Sequence, residues 1–350
     1  MVVIQHIDGL RLPGGRDPLP GGFLGVDVFF VLSGFLITRL LLDEREHTGR
    51  LSLGRFYGRR AARLLPALGL FLVGHVIWVS WARVGVSRSV ELESLLVIGL
   101  YVSNWAYQLG VDVAYGLGHL WSLAVEEQFY VVWPFLVWWL RRRIGLLWVV
   151  IAVGVVVAIG VRNHLWDQGT YWMLVYIRTD SRMDSLLMGC ALALIHHRGL
   201  VELVPARIRQ AGALAGGAVI VAAAVLVQPA NGMLYRVGFT VLALGTALLI
   251  AGVVGPEWWL SRWLGASLPR LVGRVSYGLY LWHPMMLYGV DHALPEVPRA
   301  ASVVLALALT GLVVGLSWTY LERPVLAWSH RRFARPGSTP TTTVDARILG

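Results

Sequence analysis

Apolar positions along this chain come in long runs. Stretches of roughly 18–22 mainly apolar residues recur from one end to the other, the length that carries an α-helix across a bilayer. Taken in order they predict spans at 1–10, 22–42, 64–84, 119–140, 144–162, 183–197, 211–228, 235–254, 274–291 and 300–321. The expected fold is all-α, a polytopic transmembrane helical bundle of about ten spans. The first is truncated: residues 1–6 read as the last third of a helix, with neither the basic flank nor the cleavage site of a signal peptide.

A further apolar segment, 92–109, is decided by charge. Residues 39–63 hold seven arginines (39, 45, 50, 55, 59, 60, 63) against Asp43, Glu44 and Glu46, which marks that stretch as cytoplasmic. If 92–109 crossed the bilayer, Arg141, Arg142 and Arg143 would fall outside. If it is re-entrant or lies on the outer surface, those three, the loop from His196 to Arg209, Arg262 to Arg270, and Arg331, Arg332 and Arg335 all face the cytoplasm. The second solution is adopted, and its Gly, Asn104 and Gln108 content suits a segment buried against protein. The expected layout is a transmembrane domain at 1–328 and a disordered, basic and polar cytoplasmic tail at 329–350, rich in Pro, Ser and Thr. No second soluble domain and no internal repeat is expected.

Composition agrees with a membrane class. The chain is 57% hydrophobic and 14% charged, where a soluble domain has about 25% charged residues. The net charge of +10 invites a nucleic-acid reading, but the arginines sit in short loops between apolar runs, so no nucleic-acid partner is expected. All 30 basic residues are Arg. Arg is the better bidentate phosphate ligand, and a coding bias accounts for the same fact. The lone Cys190 excludes internal disulfides and reads as inert packing. No Cys/His cluster, HExxH, P-loop or dinucleotide-binding glycine pattern is present, so neither a metal nor a bound cofactor is expected.

Chemistry concentrates in a few blocks. GHLWSLAVEEQFY (118–130) places His119, Glu126, Glu127 and Gln128 at the head of an apolar run, where ionised groups cost several kcal/mol unless paired or hydrated. GGFLGVDVFFVLSGFLIT (21–38) sets Asp27 between glycines suited to close helix contact, an arrangement that a packing face with a capping Asp also explains. In RFYGRRAARLLP (55–66), Arg60 and Arg63 share a helical face and can grip one anion together; plain positive-inside topology explains them equally. In GRVSYGLYLWHP (273–284), Ser276, Tyr280 and His283 form one helical stripe, either a buried hydrogen-bonding ladder or a substrate path.

Together with RTDSRMD (178–184) and ERP (322–324), these blocks resemble, in order and over nearly the whole length, the acyltransferase type 3 family of integral-membrane O-acyltransferases. The resemblance implies about ten transmembrane helices and transfer of an acyl group, acetyl or short-chain, from cytoplasmic acyl-CoA to a hydroxyl of a cell-surface glycan or glycosylated metabolite. It implies a plasma-membrane location with a cytoplasmic C-terminus. The family's central histidine closes its first helix, and His6 occupies that position. The Arg or Lys that the family places upstream, with ten residues between it and that histidine, would precede Met1. The length resembles stand-alone members without a C-terminal hydrolase-like domain.

Acyl transfer needs a base for the hydroxyl, stabilisation of the tetrahedral oxyanion and a held thioester. On this resemblance His6 is the candidate base, with Glu126 or Glu127 orienting an imidazole. Arg60 and Arg63 are the candidates for the acyl-CoA phosphates. His119, Ser122, Ser276, Tyr280 and His283 are candidates for acceptor binding or the oxyanion, and His119 also competes as base. A transporter or flippase for a polar or glycolipid substrate would use similar intramembrane polar residues, and moves its substrate without a covalent product.

Overall fold

A computed structural model describes residues 1–7, 19–82, 87–114, 116–254 and 258–333. The expected tail lies outside the described residues from 334 onward. The fold is helical, with no strand among the described residues. In chain order the helices are α1 (Val2–Gln5), α2 (Gly25–Thr48), α3 (Leu53–Ala82), α4 (Arg88–Gly99), α5 (Ser103–Gln108), α6 (Trp121–Trp139), α7 (Leu146–Asp167) and α8 (Trp172–Tyr176). They continue with α9 (Thr179–His197), α10 (Ala206–Leu226), α11 (Phe239–Val253), α12 (Trp259–Leu264), α13 (Ser267–Ala293), α14 (Arg299–Ser317) and α15 (Arg323–Arg332).

Among the described residues, six helical stretches are long and apolar enough to cross a membrane: Gly22–Thr48, Leu53–Trp81, Leu146–Asp167, Ala206–Leu226, Leu234–Val253 and Arg299–Arg332. The chain is a multi-pass membrane protein, and its lipid-facing surface is plain on α7, where Val149, Val153 and Val156 are all exposed. The expected count of about ten is not confirmed by length and composition, for a physical reason. Three long helices left out carry polar residues: α6 has Glu126, Glu127 and Gln128, α9 has Asp180, Arg182 and Asp184, and α13 has Arg270, Arg274, His283 and Asp291. The segment 92–109 divides into α4 and α5 around Tyr101, a non-glycine residue at φ 55°. Each piece is shorter than a bilayer crossing requires.

The chain forms two compact units. The first comprises Met1–Leu51, Arg88–Ala114 and Gly118–Ser261, and the second Ser52–Ser87, residues 115–117 and Arg262–Gly350. In the first, α2 and α9 lie backbone to backbone. A Cβ on Gly34 would strike the Leu186 carbonyl, and one on Gly189 the Val31 carbonyl. Small residues at such a seam allow the contact that binds helices where lipid and side chain are equally apolar. Val31, Phe35, Leu192, Ala193, Val201, Ala243 and Ile250 form a core cluster beside it. In the second unit α13 packs on α14 and α3, and α15 on α3.

Candidate active site

The first unit holds His6, Asp27, His119, Ser122, Glu126 and Glu127; the second holds Arg60, Arg63, Ser276, Tyr280 and His283. His6 caps the single turn α1, and its Nδ1 lies 2.9 Å from the Val2 carbonyl oxygen. A carbonyl only accepts, so Nδ1 carries the hydrogen and the neutral ring has its lone pair on Nε2. The turn is seated on the 3₁₀ turn Gly22–Leu24, where a Cβ on Gly22 would meet Gln5 and one on Gly25 would meet Val2. The glycines of the Gly-Gly-Phe-Leu-Gly block thus make room for the helix that carries the histidine.

Glu126 lies on α6, buried against α2. Its Oε1 accepts from the hydroxyl of Ser33 and from Tyr130, the latter at 2.5 Å, and Ser33 also contacts Tyr130. One turn on, Trp133 donates its indole N–H to Thr38 at 2.8 Å. Ser33 and Tyr130 were not anticipated; the i, i+4 spacing of Glu126 and Tyr130 was the available signal. Glu127 is half-buried on another face of α6. His119 and Ser122 are both buried, His119 on the 3₁₀ turn Gly118–Leu120 and Ser122 in the first turn of α6. Ahead of them Tyr107 packs against Gly118, its phenol pushed up to about 12 by burial and by Asp112.

Gln128 spends every polar atom on a single junction. Its carbonyl accepts from Trp105 (3.1 Å) and Thr179 (2.6 Å), and its amide donates to the Tyr101 carbonyl (2.8 Å) and Asn104 (2.9 Å). Asn104 donates in turn to Thr179 at 2.9 Å, and Gln108 to the Leu174 carbonyl at 2.8 Å. The segment 92–109 is tied to α6 and to the start of α9 by these bonds, and the unusual Tyr101 backbone is one of the groups held.

Deeper in the same unit lie two fully buried ion pairs. Asp27 of α2 pairs with Arg182 of α9, and Arg162 of α7 pairs with Asp184 of α9 at 3.0 Å. Arg162 further donates to the carbonyls of Tyr235 (2.7 Å) and Ser181 (2.8 Å) and to Thr240 (3.1 Å). The Phe239 ring underlies both guanidiniums, with centroid distances of 3.4 Å to Arg182 and 5.4 Å to Arg162. Arg162 was missed as a site residue, though an ionisable side chain at the end of an apolar run is the expected warning sign.

In the second unit Arg60 and Arg63 stand one turn apart near the start of α3, both partly exposed. Neighbouring Arg59 donates to the Phe333 carbonyl at 3.5 Å. The stripe on α13 divides: Ser276 returns its hydroxyl to the Gly273 carbonyl at 2.9 Å, whereas His283 is buried with its ring 6.0 Å from that of Tyr280. The Nδ1 of His283 donates to the Leu279 carbonyl at 2.9 Å. Among the described residues, Asp43, Glu46 and His197 lie close enough to share a metal ion, and Asp43 already pairs with Arg39 at 3.6 Å.

A multi-pass helical protein with a pre-set imidazole, buried carboxylates and an arginine pair belongs to the class of integral-membrane proteins that handle polar groups within an apolar frame. Comparison with known proteins narrows the class. A family described as an acyltransferase domain matches residues 1–322. The chain is 33% identical over 321 residues to the peptidoglycan O-acetyltransferase OatA of Listeria monocytogenes, covering 87% of this chain and 51% of that protein. It is 31% identical over 353 residues to the O-acetyltransferase OatA of Staphylococcus aureus, covering 95% and 56%. The chain therefore belongs to this acyltransferase family, and it spans about half the length of the curated relatives it matches. No solved structure matches it.

Proposed function

We propose that the chain is a membrane O-acyltransferase that moves an acetyl or other short acyl group from acyl-CoA to a hydroxyl of a cell-wall glycan. The observation that carries this reading is that the family match takes in His6, Arg60, Arg63, Glu126 and Glu322 together. Relatives named for O-acetylation of peptidoglycan support the glycan acceptor. The tautomer of His6 suits a base: Nε2 takes the acceptor's hydroxyl proton as the oxygen bonds to the thioester carbonyl carbon. The tetrahedral oxyanion then collapses, the carbon–sulfur bond breaks, and the CoA thiolate takes up the proton as the ester is released. Arg60 and Arg63 hold phosphates of the donor.

The test is to incubate membranes containing the chain with radiolabelled acetyl-CoA and peptidoglycan fragments. Alkali-labile label on the glycan is expected, and His6→Ala should lower transfer at least about a hundredfold at unchanged protein level. Wild-type turnover in that variant removes His6 from the mechanism. Glycan movement across the membrane without an ester product replaces the reading with transport.

A further inference from the structure

His75 is fully buried on α3, and among the described residues neither of its ring nitrogens meets a hydrogen-bond partner. Trp282 of α13, 5% exposed, likewise buries its indole N–H without an acceptor. The two belong to one aromatic cluster. The Phe71 ring stands 5.3 Å from that of Trp282, edge-on, and 6.5 Å from that of His75, which is also 6.0 Å from Trp78. A Cβ on Gly74 would strike the Trp282 ring, so α13 lays its indole on α3 at the residue next to His75. A buried polar group left unmet costs about 1–3 kcal/mol, and Leu or Phe would fill either place without that cost. Two such groups in a contact otherwise made of carbon point to a ligand with a few hydrogen-bonding groups of its own.

The face of α3 that carries His75 also carries Arg60. Arg60, Leu64, Ala67, Phe71 and His75 follow one another at helical spacing, and the last four are buried. At the helical rise His75 lies about 20 Å along the axis from Arg60 and Arg63, a distance that an extended phosphopantetheine arm spans. We infer that His75 and Trp282 hydrogen-bond the amide groups of the acyl donor's pantetheine arm while its phosphates lie at Arg60 and Arg63. The inference rests on the reading of the chain as an acyl-CoA-dependent transferase. The arm is mainly aliphatic and carries two amides, each of which needs a partner once it leaves water. The indole N–H only donates and suits an amide carbonyl; the neutral imidazole offers one donor and one acceptor and suits the other carbonyl or an amide N–H. A glycan, with a hydroxyl on most of its carbons, would need many more partners than these two.

The test uses the whole chain in membranes with acetyl-CoA and peptidoglycan fragments, with thermal stability measured in detergent. Trp282→Phe keeps an aromatic ring and loses the N–H; His75→Leu replaces the imidazole with an apolar side chain. Each should raise KM for acetyl-CoA about tenfold with kcat within about twofold, the scale of one lost hydrogen bond. Each should also leave Tm at or above the wild-type value, since an unmet polar group has gone. His75→Gln keeps a donor and an acceptor and should hold KM near the wild-type value. Unchanged KM in either Trp282→Phe or His75→Leu overturns the inference and leaves the donor reading standing. So does a raised KM that comes with a lower Tm, which marks lost packing, or a KM in His75→Gln as high as in His75→Leu. Should one variant not accumulate, the other decides. If the wild-type chain transfers no acetyl group from acetyl-CoA, the donor reading fails and this inference with it.

Discussion

In the α2–α7–α9 core, Asp27, Arg182, Arg162 and Asp184 are fully buried and their charges cancel in two pairs. At the start of α3, by contrast, Arg55, Arg59, Arg60 and Arg63 are all partly exposed. Both regions use arginine in an apolar protein, to different ends. In the core Arg162 is held by Asp184 and two carbonyls, and Arg182 by Asp27 and the rings of Tyr176 and Phe239, so the charge acts as a cross-link among helices that are otherwise apolar. At the start of α3 the four guanidiniums stand on one helix and reach solvent, an arrangement that suits recognition of an anion. The contrast predicts that losing a core arginine harms the fold, and losing an α3 arginine harms recognition.

The largest effect should come from Arg162→Met. It strands Asp184 as a buried charge, a loss of about 3–5 kcal/mol out of a total stability of about 5–15 kcal/mol. Accumulation and thermal stability in detergent should both fall sharply, and Asp184→Leu in the same chain should recover much of the loss. Normal accumulation of the single variant would remove the distinction between the regions. Gln128→Leu should come next. Thr179 and Trp105 lose their shared acceptor, and the Tyr101 carbonyl and Asn104 a donor. At about 1–3 kcal/mol for an orphaned buried group, a lower Tm with faster proteolysis within 88–114 is the expected outcome; wild-type stability would show that the junction is held by other means. The smallest effect on the fold, and the sharpest test of the contrast, is Arg60→Ala. Stability should stay at the wild-type level while KM for acetyl-CoA rises about tenfold. A fall in Tm with unchanged KM would place Arg60 with the core arginines.

The apolar runs made the fold class legible, because segments of bilayer length have few alternatives to a helix. Boundaries were less legible wherever arginine begins a helix. The third span was expected from 64 and starts at Leu53, since Arg, Ala and Leu favour helix whether or not they are apolar. The last span was expected to end at 321, and the helix continues through the π turn to Arg332. Local spacing exposed Arg60 with Arg63, and would have exposed Glu126 with Tyr130. The pairing of Ser33 with Glu126 joins residues 93 apart, and that of Arg162 with Tyr235 residues 73 apart. No periodicity encodes such partners; they follow from which helices touch, and for α2 and α9 that was set by Gly34 and Gly189.

One detail of His6 carries beyond this chain. Catalytic imidazoles are commonly oriented by an aspartate or glutamate bonded to Nδ1. Here the carbonyl four residues earlier does that work, as it also does for His47 and His283. The Val2 carbonyl that meets the ring also accepts the His6 backbone N–H at 3.2 Å, so a histidine at the end of one short turn finds an orienting group in its own backbone. A single turn of helix can therefore fix the tautomer of an imidazole through its own backbone.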